Sequence, residues 1–157
     1  MNDKSYEMFK NSTIDEIVKT LDEELQKRNE SPIWKLKVVP FSRAVLSVLI
    51  PLRDNNMLFT PEGDYVDELT PELFFRWNDF VSLKTLAFTI QKSNEAGELL
   101  RTKLDSSTCQ EYKNIDLGEL GDYLGANNVN LDNEFLDFPI SAYNLHQGVS
   151  NVIKSLL

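Results

Sequence analysis

The chain has 157 residues, with 16 basic and 25 acidic side chains and a net charge of −9. That balance argues against a direct grip on nucleic acid, because neutralising phosphates needs Lys and Arg. One cysteine, Cys109, and one histidine, His146, exclude a disulfide framework, a multi-thiolate zinc site and a multi-histidine metal site.

Nine Phe, five Tyr and two Trp supply enough apolar surface for one core, so a single domain over 1–157 is expected. Residues 1–11 are expected to be disordered. The start of the chain lacks the apolar centre of a signal peptide. The most apolar charge-free run, Ala44 to Leu52, is far short of the ~20 residues a membrane helix needs. The expectation is a cytoplasmic protein without membrane contact.

The first clear element is a helix. Ile14, Ile17, Val18, Leu21 and Leu25 fall on one stripe of a 3.6-residue period. Thr13 and Glu16 have the spacing of a capping box. Ser31-Pro32 ends the helix, because a residue before proline resists helical angles. Two strands are then expected. In Ile33 to Val39, Trp34, Leu36 and Val38 alternate with Lys35 and Lys37. Arg43 to Leu52 is apolar on both faces, as a central strand would be. Arg53 to Asn56 reads as a turn and Met57 to Thr60 as the returning strand of a hairpin. Pro61 to Asp64 is a second turn.

Thr70-Pro71-Glu72 starts a helix, with a cap, a proline at the first position and an acid in the first turn. Phe74, Phe75, Trp77, Phe80 and Val81 make that helix apolar around much of its surface. A break near Leu83 is preferred, followed by a strand at Thr85 to Ile90, a turn at Ser93 to Gly97 and a partner strand at Leu99 to Leu104. A helix running on to Ala96 is the competing reading. Asp116 to Leu124 forms a short helix with Leu117, Leu120, Tyr123 and Leu124 inward, closed by Gly125. Residues 106–140 are otherwise a loop-rich acidic segment. Ala142 to Leu157 is an amphipathic helix with Ala142, Leu145, Val149, Val152, Ile153 and Leu156 on one face.

The fold class that follows is α+β: an antiparallel sheet of about three to five strands with an N-terminal, a buried central and a C-terminal helix. This element order is similar to that of small acidic secretion chaperones, dimers that hold a client segment. The resemblance is one of order, without a motif, and it leaves residues 106–140 unaccounted for.

Catalytic signals are weak. His146 reads as a surface or half-buried side chain beside an apolar stripe, since one histidine is no constellation. Cys109 has no basic neighbour before Lys113 to lower its pKa. Gly118, Gly121 and Gly125 do not match a phosphate-binding loop. Asn128 to Pro139 starts like a calcium loop but has Asn133 and Pro139 where glycine and glutamate are needed. No cofactor, metal or catalytic residue is therefore assigned.

The charge, however, is segmented. Residues 54–79 carry net −6 and residues 104–157 net −6, while 1–53 and 80–103 carry +1 and +2. The expected function is a non-enzymatic interaction protein: chaperone-like, an immunity protein or antagonist, or an assembly subunit. Asp64, Asp67, Glu68 and Glu72 with Phe74, Phe75 and Trp77 would bind a protein partner with a basic or apolar surface. A homodimer is expected as well, since successive residues 100° apart cannot send all three aromatics into one core. A carboxylate-based enzyme, with or without metal assistance, is the alternative, and an acidic mimic of nucleic acid the second.

Overall fold

Residues 3–28, 32–95, 115–129 and 140–156 are described by the structure, a computed structural model. Among them the chain forms seven helices. These are α1 (Asp3–Asn11), α2 (Ile14–Lys27), α3 (Pro32–Asp54), α4 (Pro71–Trp77), α5 (Phe80–Glu95), α6 (Gly118–Ala126) and α7 (Ile140–Leu156). Extended backbone pairs only at one isolated bridge between Phe59 and Tyr65. The α+β expectation is therefore overturned: the described residues are helical and hold no sheet. The likeness to secretion chaperones goes with it, because it rested on strands.

The helix α2 forms where its stripe and cap place it. The Thr13 hydroxyl accepts from Glu16 N, and the Glu16 carboxylate accepts from Thr13 N at 2.9 Å. Ile17, Val18, Leu21 and Leu25 are buried. Before it, Asp3–Asn11 is helical rather than disordered, and Phe9 is buried against Phe74 with ring centroids 5.1 Å apart. Arg53 Nη1 donates to the Phe9 carbonyl at 2.9 Å, which ties α1 to the end of α3.

The two expected strands at Ile33 to Val39 and Arg43 to Leu52 are one helix, α3. Leu36 and Val38 should share a strand face, yet they are 72% and 0% exposed. Val38, Phe41, Val45, Leu49 and Leu52 instead form a buried helical stripe. Pro40 and Pro51 lie inside it, and each costs a helix on the order of 3 kcal/mol. Nine buried apolar residues between Val38 and Leu52 outweigh that, since a large apolar side chain gains about 1.5–3 kcal/mol on burial. The helix is central, packing on α2, α6 and α7.

The turn signal at Arg53 to Asn56 is real but ends α3 instead of folding a hairpin. Asn56 has φ 57°, Asn56 N donates to Arg53 O, and Met57 N donates to Leu52 O at 2.8 Å. This is a Schellman closure, with buried Met57 beside buried Leu52. Met57 to Thr60 then pairs forward, toward Tyr65, and not back onto 43–52.

Thr70 caps α4 through Leu73 N at 3.1 Å, with Pro71 behind it. The chain breaks at Asn78 and Asp79, earlier than Leu83, and resumes as α5 with the Asp79 carboxylate accepting from Ser82 N at 3.2 Å. The expected strand at Thr85 to Ile90 lies within α5, where Leu83, Leu86, Ala87 and Ile90 are buried. Residues 93–95 of the expected turn are helical too, while Leu99 to Leu104, Cys109 and most of 106–140 fall outside the described residues. Gly125 does not close α6: the helix passes it and stops at Asn128, φ 61°, with Val129 N on Leu124 O at 3.0 Å. In α7, Val149 and Ile153 are buried and Val152 is half-buried, as the stripe requires.

Candidate functional site

The acidic segment is the connection between α3 and α4. Met57, Leu58, Phe59 and Leu69 are buried and anchor it at both ends. Between them the backbone turns at Gly63, φ 92°, whose N–H donates to Thr60 O at 2.8 Å. Thr60 N donates to Asp64 O at 2.9 Å and Val66 N to Leu58 O at 3.1 Å. Asp64 thus stands exposed on a hydrogen-bonded turn, and Asp67 is exposed just after Val66.

Its acids differ in their neighbours. Glu62 accepts from Arg76, Glu68 pairs with Lys10 at 3.2 Å, and Glu72 accepts from the Tyr6 hydroxyl. Asp64 and Asp67 have no ion pair among the described residues. Glu62 is held below the usual carboxylate range, first by its own backbone N–H and then by the Thr60 hydroxyl and Arg76. Glu72 is lowered chiefly by the Tyr6 hydroxyl. Both shifts favour the anion, opposite to what a general acid requires.

The aromatic residues do not join this surface together. Phe74 and Trp77 are buried, one against Phe9 and the other edge-on to Phe59 at 5.7 Å. The Trp77 indole donates to Phe59 O at 3.2 Å. Only Phe75 reaches the surface, half-buried, with the Lys154 ammonium 5.6 Å from its ring centroid. One chain thus covers Phe74 and Trp77, and Phe75 alone of the three is left partly exposed.

A second constellation joins residues that the sequence does not bring together. His146 on α7 is 2% exposed, not a surface residue. Its ring meets Phe41 of α3 edge-on at 4.7 Å. Nε2 faces the Asn78 carbonyl at the α4–α5 break, so Nε2 carries the proton and donates. Nδ1 then accepts from the Tyr123 hydroxyl of α6 at 3.4 Å. Burial lowers the imidazole pKa, against smaller opposing effects of Asn78 O and Asp79. Burial also pushes the Tyr123 phenol up to about 12. The arrangement holds a neutral imidazole between four elements. Only the inward placing of Tyr123 was readable beforehand.

No group of three or more His, Cys, Asp or Glu among the described residues could hold a metal ion. No helix among them is long and apolar enough to cross a membrane. No family model, curated protein or solved structure matches the chain.

Proposed function

We propose that this is a non-enzymatic interaction protein of the cytoplasm that binds a basic segment of a protein partner along 62–72. The observation that carries the reading is the exposed pair Asp64 and Asp67, with the Asp64 backbone held to Thr60 on both sides. A fixed backbone presents their charges without a large ordering cost on binding. Glu62, Glu68 and Glu72 extend the negative field on either side, and Phe75 adds apolar area at its edge. Such a field steers a cationic partner and weakens with salt. The chain's one cysteine fits a reducing compartment.

The test is a titration of the labelled protein with Lys/Arg-rich peptides, followed by amide chemical shifts. Shifts should centre on 62–72, weaken several-fold from 50 to 200 mM salt, and vanish in the Asp64→Asn/Asp67→Asn variant. Shifts scattered over the surface, or unchanged in that variant, would refute the reading.

A further inference from the structure

The α4–α5 break combines two features. Its Asn78 carbonyl takes the proton of His146 Nε2 and so ties α7 to the break. The Asn78 side chain is itself 0% exposed, and neither its amide nitrogen nor its amide oxygen has a hydrogen-bond partner among the described residues. The closed arrangement buries two amide atoms without a protein partner among the described residues, a cost that opening would lessen. What offsets this cost is the fit of a neutral imidazole among Phe41, Tyr123 and the Asn78 carbonyl.

We infer that His146 is a proton-operated latch, whose protonation releases α7 from the α4–α5 break. The chemistry is one proton taken from solvent by the Nδ1 lone pair. Tyr123 donates to that lone pair in the closed state, so its hydroxyl must turn and accept instead. The imidazolium keeps Nε2–H on Asn78 O, and the Asp79 carboxylate attracts it. Phe41 on α3 and Tyr123 on α6 bring no negative charge to it. Burial of the cation opposes these attractions and exceeds them. In the opened state water solvates both the cation and the Asn78 amide. One proton thus biases the docking of α7 against the break.

The sign follows from linkage. A histidine whose folded pKa lies below its unfolded value binds more protons when released. Docking of α7 is then fully stable above about pH 6.5 and weakens as pH falls through the folded pKa.

A single histidine gives one imidazole signal, so the full chain can be read directly by ring ¹⁵N shifts, with amide exchange measured in parallel. At pH 7.5 the shifts should show a neutral ring protonated at Nε2, and the midpoint should fall below 6.5. Between pH 7 and 5, protection of α7 amides, corrected for intrinsic exchange, should drop about tenfold per unit of pKa difference, while α2 amides keep theirs. His146→Gln keeps a neutral N–H donor and should make α7 protection independent of pH. If that variant does not fold, the wild-type data still decide. A ring midpoint at or above 6.5 would overturn the proposal. So would α7 protection that stays constant through the ring titration, or falls in step with α2.

Discussion

Asn56 and Asn128 end different helices in the same way, each in the left-handed region at φ 57° and 61°. In both, the next residue donates to the carbonyl five positions back, Met57 to Leu52 and Val129 to Leu124. Neither position is a glycine, yet both use the conformation glycine adopts most cheaply. Asn56→Gly and Asn128→Gly are expected to keep or slightly raise stability. Asn128→Val is expected to cost about 1–2 kcal/mol, because left-handed backbone tolerates Asn but not a β-branched side chain. Chemical denaturation of the three variants checks this.

Tyr123 gives an alkaline prediction. Its folded pKa of about 12 exceeds the model-peptide value of about 10. The unfolded chain therefore releases the proton first as pH rises. The contribution of Tyr123 is intact below pH 10 and is lost between about 10 and 12. Tyr123→Phe should flatten that limb of the unfolding midpoint. An unchanged slope would show that the phenol is not buried.

Arg43 joins three helices, reaching Asp15 of α2 at 2.7 Å and Glu119 of α6 at 3.7 Å. All three side chains are well exposed, so the network is screened. Arg43→Ala should cost under about 1 kcal/mol and cost less still at high salt. Denaturation at 50 mM and 1 M salt separates this from a packing loss, which salt would not reduce.

The C-terminal helix is expected to be needed for stability. Val149 and Ile153 are buried in the core. Ile153→Ala should cost about 2–5 kcal/mol, and deletion of residues 149–157 should lower the thermal midpoint markedly. A truncated protein that melts as the full chain does would show that α7 serves binding alone.

What could be read from sequence depended on whether a residue's fate was local. The stripe from Ile14 to Leu25 has one polar face and one apolar face, and Thr13 with Glu16 marks its start. Only a helix fits that combination. The caps at Thr70 and the stripe of α7 were legible for the same reason. Arg43 to Leu52 is apolar on every side, and a central strand and a central helix make the same demand there. At Thr85 to Ile90 the β-branched residues favoured strand, but β propensity depends on packing context. Alternation at Trp34, Leu36 and Val38 was then misleading, because Lys35 and Lys37 gave a helix a two-residue rhythm.

The candidate sites divide similarly. Exposure of Asp64, Asp67, Glu68 and Glu72 followed from their charge and turn setting. Burial of Phe74 and Trp77 could not be told from exposure at an interface, since both place apolar surface on a helix. The His146 contacts join residues far apart in the chain, to Asn78 and Tyr123, and no local pattern encodes them.

The contact between Phe9 and Phe74 also sets an order of events during synthesis. At about 5–20 residues per second, Phe74 is made several seconds after Phe9. Until then α1 lacks the ring that covers Phe9, while Arg53 can already hold the Phe9 carbonyl. A nascent chain interrupted before α4 presents an uncovered aromatic helix at its leading end. Such a fragment is a natural client for chaperones that recognise apolar segments, whereas the finished chain hides the same residue.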